Sequence, residues 1–271
     1  MTDHAASDET TRAHLEAYYD LAPRANADTE EHGPLTLFLS RGGYPYYARP
    51  RLGLSGEVTA ADVTAVLERQ RALEVPRAVE WVDEVTPSLL SAARVAGMRV
   101  EVCPLLVLTG DPVVRPDELR VRLLAADDPD IGRVNAAIGV GFAHAGTSRG
   151  EAGAAERDEQ LAAHPESVER ARALVASGRS VLAGAFDPDA GAVGGGNHNP
   201  RGDTSEVVGV GVLPAYRRQG LAGAVTAILA RHAREHGVTT VFCSAQDEDV
   251  ARVYEAVGFR RVGTACIAEA D

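Results

Sequence analysis

The sequence predicts an α/β (α+β) protein of two units, on three observations. Strand-like and helix-like segments alternate along most of the 271 residues. A stretch from Thr109 to Pro116, with Gly110, Pro112 and Pro116, breaks the alternation and divides the chain into 1–115 and 116–271. The two parts also repeat each other. Val63-Thr-Ala-Val-Leu-Glu-Arg69 matches Val225-Thr-Ala-Ile-Leu-Ala-Arg231, and with one residue of slippage Ala93 to Met98 falls on Tyr254 to Phe259. Both copies run helix, strand, capped helix, glycine, strand, which reads as a diverged duplication.

The elements follow in order. Residues 1–34 read as a polar acidic arm with a short helix at His14 to Leu21, then a strand at Leu35 to Leu39 and a Gly/Pro/Tyr stretch from Gly42 to Pro50. Thr59 caps a helix running to Leu73, and Ala78 to Val82 is a strand. Thr86-Pro87 has the form of a cap followed by a first-turn proline, opening a helix that ends at Gly97 before a strand at Met98 to Leu108. The second part begins with a strand (Leu119 to Leu124), a helix (Pro129 to His144), a polar segment and a helix (Ser167 to Ala176). Strands follow at Ser180 to Phe186, Ala192 to Asn197 and Ser205 to Leu213. A helix from Gly220 to His236 ends on Gly237, a strand spans Thr239 to Ser244, a helix Glu248 to Val257, and a strand Phe259 to Ile267 closes the chain.

Composition excludes several classes. A formal charge of −12 argues against nucleic acid, which demands concentrated basic residues, and suits a cationic or neutral small substrate. No apolar run is long enough for a membrane span. Met1 to Glu9 is polar and acidic, without the form of a secretory or transit signal, so a cytoplasmic location is expected. Cys103, Cys243 and Cys266 lie singly in apolar runs and read as buried reduced thiols. The chain has no lysine.

The chemistry is concentrated in Val207-Val-Gly-Val-Gly-Val-Leu-Pro-Ala-Tyr-Arg-Arg-Gln-Gly-Leu-Ala222. A buried strand passes through a short loop into a helix, and the loop holds Arg217-x-x-Gly220-x-Ala222. This is an anion cradle: small residues admit a phosphate to the backbone, and the helix start offers unpaired N–H groups and a positive dipole end. Arg217 and Arg218 add charge-assisted donors. The loop lacks the Gly-Lys-Ser/Thr ending of a Walker loop and the GxGxxG of a dinucleotide fold.

At these residues the chain resembles the GNAT superfamily of N-acetyltransferases, over about Leu119 to Ile267. A second stretch, Asp247-Glu-Asp-Val-Ala-Arg-Val-Tyr-Glu-Ala-Val-Gly-Phe259, is similar to the family's later helix, with aspartate where asparagine is common. The resemblance implies a mixed, mostly antiparallel sheet flanked by helices and acetyl-CoA as co-substrate, with no metal. It implies that backbone groups of Val210, Val212 and Leu213 meet the pantetheine arm and that Arg217, Arg218, Gln219, Gly220, Leu221 and Ala222 hold the pyrophosphate. It also implies that Tyr254 protonates the departing thiolate; the plainer reading of Tyr254 is a core aromatic.

Other positions keep two readings. Gly209 and Gly211 suit either a strand bulge that aims an N–H at the thioester or close packing. Glu206 is the first candidate for the base that deprotonates the amine, or a solvated strand-end carboxylate, and His198 is the second candidate, or a turn residue. Asp247 is read as a helix cap. His232 and His236 have metal-compatible spacing but read as a solvated face. His144, Glu151 and Glu156 either border the acceptor or lie in a polar loop.

In the first copy, Ser55 takes the place of Arg217, Glu57 of Gln219, Val58 of Gly220 and Ala93 of Tyr254. The first part thus reads as a degenerate, partial GNAT-like unit, with Tyr44, Tyr46 and Tyr47 as packing or as aromatic surface near the acceptor. The expected function is transfer of an acetyl group to a primary amine of a small molecule by direct attack. The alternative is a non-catalytic acyl-CoA-binding or regulatory protein. Neither nucleic acid nor membrane is expected as a partner, and a homodimer is allowed.

Overall fold

The computed structural model describes residues 2–42, 46–113 and 120–270, with residues 2–6 as backbone only. The elements are α1 (Thr2–Arg24), β1 (Ala27–His32), β2 (Leu35–Ser40), β3 (Ala48–Pro50), α2 (Ala60–Ala72), β4 (Ala78–Val82), α3 (Ser88–Val95) and β5 (Arg99–Leu108). Then come β6 (Val121–Leu124), α4 (Ile131–Ala143), α5 (Ala154–Ala163), α6 (Glu166–Ala176), β7 (Val181–Asp187), β8 (Gly191–Arg201) and β9 (Thr204–Val212). A single 3-10 turn (Pro214–Tyr216) precedes α7 (Leu221–Glu235), β10 (Thr240–Ser244), α8 (Glu248–Glu255) and β11 (Phe259–Glu269). Among the described residues no helix is long and apolar enough to cross a membrane.

Two compact units are present, Met1–Leu105 with Arg261–Asp271, and Leu106–Arg260. The division expected at 115/116 falls within residues 114–119, outside the described residues. The chain instead changes unit at 105/106 and again at 260/261. The second change has a clear cause. By sequence repetition β11 closes the second copy, yet its Ala265–Glu269 stretch pairs antiparallel with Ala78–Val82 of β4, inside the first unit.

In the first unit β1, β2 and β3 are antiparallel neighbours, and β3 runs parallel to β4 through the single pair Ala48 and Val79. The helix α2 starts as expected: the Thr59 side chain accepts from the Asp62 N–H, and Asp62 accepts from the Thr59 N–H. Three expectations change here. Residues 2–32 contain the long α1 and the strand β1, because Leu15, Tyr18 and Tyr19 give the helix a buried stripe. The edge strand β1 hid because its acidic side chains stay outside, paired with Arg51 and Arg69. Thr86 does not cap α3. Pro87 already has helical angles, so the helix opens without a side-chain cap, and the Thr86 N–H donates to Val82 O.

In the second unit β6, β7, β8 and β9 are antiparallel neighbours and β9 and β10 run parallel, a mixed, mostly antiparallel arrangement. Helices cover both faces. A methyl group at Gly195 would approach Val134 of α4 to 2.5 Å, whereas one at Gly196 would meet Val225 of α7 at 3.0 Å. The polar segment before α6 contains a helix that was not expected, α5. Its signal is Gly153-x-x-Glu156, where Glu156 Oε2 accepts the Gly153 N–H at 2.7 Å.

Candidate active site

β9 and β10 part company where the chemistry was expected. Their pairing runs through Thr204/Thr240, Ser205/Val241 and Glu206/Phe242 and then stops, although both strands continue. On the other side, the β8–β9 register shifts between Gly195/Gly211 and Asn197/Val208, so that β9 carries one residue more than β8. Gly209 sits in this bulge at φ +65°, a value that favours glycine. The bulge also resets side-chain alternation. Ser205 and Val207 face α7, and beyond the bulge Val210 does so too, beside Val225. Gly209 and Val210 have no register partner on β8.

The backbone groups expected to receive a pantetheine arm are only partly available. The Leu213 N–H donates to Val193 O at 2.9 Å, and Val212 O accepts from Arg217 Nε at 3.2 Å. Val210 lies in the bulge, without a register partner on β8.

The loop into α7 is open and strained. Arg218 has φ +61° and Gly220 φ +80°, so two residues flanking Gln219 are left-handed. For arginine that geometry costs of the order of 1 kcal/mol and marks an imposed conformation. Alternation of this kind turns successive N–H groups toward one concavity. The N–H groups of residues 218–223 have no hydrogen-bond partner among the described residues. The Arg218 side chain is exposed and pairs with no described residue. Gln219 Oε1 accepts from Arg120 Nη1 at 2.9 Å, and Arg120 is fixed by Phe186 O and Asp187. Sequence reading did not single out Arg120; its partners lie 66 to 99 residues away, with no motif to announce them.

Arg217 is placed differently from the expectation. Its guanidinium turns away from the open N–H groups and donates to Gly141 O, His144 O, Ser148 O and Val212 O.

Tyr254 is buried on α8, its ring 6.0 Å from that of Phe259. Burial, with smaller contributions from Cys243 and Glu206, pushes its phenol far above the usual range. Its hydroxyl is therefore a neutral donor, and it has no hydrogen-bond partner among the described residues. The Cys243 thiol is likewise raised, first by burial and then by Glu206. Glu206, half-buried at the last β9–β10 pair, thus shares its electrostatic surroundings with Tyr254. Asp247 caps α8, accepting the Val250 N–H at 2.8 Å.

His198 and His232 depart from their expected settings. His198 is buried in β8, not in a turn, with Nδ1 2.8 Å from Ser205 Oγ and Nε2 2.9 Å from His232 Nδ1. It faces α7, and burial plus the neighbouring histidines push it down to about 4. His232 therefore reaches inward rather than lying on a solvated face, while the exposed His236 stacks on it at 3.9 Å. His144 and Glu156 line an open groove of about 300 Å³ between α4 and α5; Glu151 is exposed outside it. Tyr47 stands 5.8 Å from Arg49 in the first unit, and Tyr44 lies outside the described residues. All three cysteines are buried and form no disulfide among the described residues.

A parallel strand pair that splays at a bulge thus leads into a loop of open N–H groups at a helix start. Residues 154–259 match the Acetyltransferase (GNAT) family, and this region is a GNAT domain. The whole chain has the fold of solved GNAT proteins. A GCN5-related N-acetyltransferase from Kribbella flavida aligns with 21% identity and a TM-score of 0.69, covering 95% of each chain. A GCN5-related N-acetyltransferase from Sphaerobacter thermophilus aligns at 14% identity and TM-score 0.54, covering 88% of this chain and 80% of that one. A tandem GNAT protein from the clavulanic acid biosynthesis pathway aligns at 16% identity and TM-score 0.50, covering 87% and 78%. No curated protein matches the sequence.

Proposed function

We propose that the second unit moves an acetyl group from acetyl-CoA to a primary amine of a small molecule by direct attack. The observation that carries this reading is the row of open N–H groups at 218–223, ending in the positive end of α7. A pyrophosphate fits that chemistry, with the exposed Arg218 adding charge. Ala222 keeps the first helical turn clear of side-chain bulk. Bound acetyl-CoA would supply an activated acyl thioester.

The chain's own groups would do the rest. Val210, in the bulge, would offer backbone to an extended arm in the splay between β9 and β10. The neutral Tyr254 hydroxyl holds a proton for a leaving thiolate. Glu206 takes the proton from the amine, directly or through water. Holding donor and amine together accounts for a large part of such a rate enhancement without any covalent intermediate.

The test is calorimetric titration of acetyl-CoA into wild type and Ala222→Glu. Ala222 is preferable to Gly220 as a target, because any side chain at φ +80° would strain the loop whatever its charge. Saturable binding by the wild type that the glutamate abolishes supports the reading, and turnover of an amine panel completes it. Binding without turnover on any amine would favour a regulatory acyl-CoA-binding role, and no binding by the wild type would remove the reading.

A further inference from the structure

Arg217 belongs to the anion-binding loop by sequence and to α4 by its contacts. α4 ends at Ala143 without a basic residue in its last turn, and His144 follows in an extended conformation. Its final carbonyls therefore need donors from elsewhere. Val140 O is met by His144 Nδ1 at 2.9 Å, while Arg217 Nη2 donates to Gly141 O at 2.8 Å and, just past the helix, to His144 O at 2.6 Å, and Nη1 reaches Ser148 O at 3.3 Å. A positive charge at a helix C-terminus is also favourable to the helix dipole. The fourth bond, from Nε to Val212 O, ties the same side chain to β9.

What this fixes is more than a helix end. α4 crosses β7, β8 and β9 in turn: Val134 lies against Gly184 and Gly195, Ile138 against Gly195 and Gly211, and Gly141 against Val212. The approach at β9 is backbone on backbone. A methyl at Gly211 would come within 2.9 Å of Ile138 O, and one at Gly141 within 3.0 Å of Val212 N. One turn past Ile138 stands Phe142, 59% exposed, on a face whose earlier members Ile131, Val134 and Ile138 are buried. The helix thus carries an uncovered aromatic beyond β9, on the side where β9 and β10 separate.

We propose that Arg217 is a positioning residue that locks the C-terminal end of α4 to the anion-binding loop and to β9. The donor loop and the acceptor-side wall, with Phe142 on it, are then held in one fixed geometry. The phosphate charge is met by the open N–H groups and Arg218 instead. The kinetic part of this inference rests on the acetyltransferase reading, but the structural part does not.

The experiment compares wild type with Arg217→Met and Arg217→Lys. Hydrogen exchange of the ligand-free proteins is followed over residues 138–150, and acetyl-CoA affinity by calorimetry. Acetyl transfer is measured to benzylamine or spermidine, whichever the wild type accepts. The expected result is exchange at least tenfold faster over 138–150 in Arg217→Met and an acetyl-CoA Kd within threefold of wild type. The amine KM should rise at least tenfold, with Arg217→Lys intermediate in all that changes. A Kd weakened thirtyfold or more with exchange unchanged would overturn the proposal and return Arg217 to the phosphate. If Arg217→Met does not fold, Arg217→Lys decides by the same exchange and affinity criteria. Wild type that binds no acetyl-CoA would sink the functional reading while the exchange result still judged the lock.

Discussion

The two copies of the repeated segment keep the same backbone plan and differ in what happens at the start of the first helix. In the second copy, α7 begins on a left-handed Gly220 with its N–H groups open and an exposed arginine beside them. In the first, α2 begins on Thr59 and is closed. The Val58 N–H donates to Ser88 Oγ, the Thr59 N–H to Asp62, and the Asp62 N–H to Thr59. A carboxylate already occupies the place an anion would take. The pattern repeats at the parallel strand pairs. Ala48 pairs with Val79 as Ser205 pairs with Val241, so Arg49 stands in the first unit where Glu206 stands in the second. Arg49 is buried there, 3.1 Å from Glu16 and stacked 4.3 Å over Tyr19, while Glu16 also accepts the Val82 N–H. The fold alone does not make a site. One copy leaves its polar backbone groups open; the other satisfies them internally.

The strongest way to break this contrast is at Tyr254, the proposed proton donor, where the first copy has Ala93. Tyr254→Phe should lower kcat by roughly 10²–10³-fold, the usual scale for a general acid, with acetyl-CoA affinity unchanged. A kcat within threefold of wild type would leave Tyr254 a core aromatic and make the two copies more alike than proposed. Glu206→Gln should follow at about 10²-fold or less, since water can relay the proton.

Most of the fold was legible because it rests on local signals. Thr59, Gly97, Gly237 and Asp247 mark helix ends by capping chemistry that reads directly from sequence. The buried strands carried enough Val and Leu to be recognised. What was missed had its cause at a distance. β1 is an edge whose charges are matched by arginines elsewhere in the chain, and α5 buries little besides Arg157, whose guanidinium donates to Ala190 O and Ala192 O. The site divides in the same way. The left-handed Gly220 and the bulge at Gly209 were foreshadowed by glycine itself, but the direction of the Arg217 side chain depends on the carbonyls of a helix some 70 residues earlier. No spacing rule encodes that.

The two units should also respond to pH with opposite slopes. In the second, His198 is held down to about 4, chiefly by burial, so the unfolded chain binds more protons below its ordinary 6.5. Stability of this unit is then full above pH 6.5 and is lost as pH falls toward 4. The loss reaches up to about 3 kcal/mol, at ~1.4 kcal/mol for each tenfold drop in proton affinity. In the first, burial raises Glu80 to about 7 against an opposing pull from Arg49. A raised carboxyl stabilises fully below its ordinary 4.5, and that contribution is lost as pH rises through 7. Water reaches about a quarter of the Glu80 side chain, so the loss is set lower, at about 1–2 kcal/mol. Trp81, the single tryptophan and buried in the first unit, reports that unit's unfolding by fluorescence, and exchange of β8 and β9 amides reports the other. Glu80→Gln should flatten the first slope and His198→Asn the second. Parallel slopes would contradict one assignment: that of Glu80 if both rise with pH, that of His198 if both fall.

The smallest effect separates what closes the first copy from what stabilises it. Thr59→Ala removes one side-chain cap and should cost about 1 kcal/mol, read as a lower denaturation midpoint of the Trp81 signal. It should not create a second binding site for acetyl-CoA. Glu57 and Val58 remain where the second copy has Gln219 and Gly220, and Asp62 stays as a negative charge at the helix start. Calorimetry should therefore find one acetyl-CoA per chain in wild type and variant alike. A second equivalent in Thr59→Ala would mean that the capping box alone kept the first copy shut. The loss of glycine at that turn would then matter less than the comparison of the two copies implies.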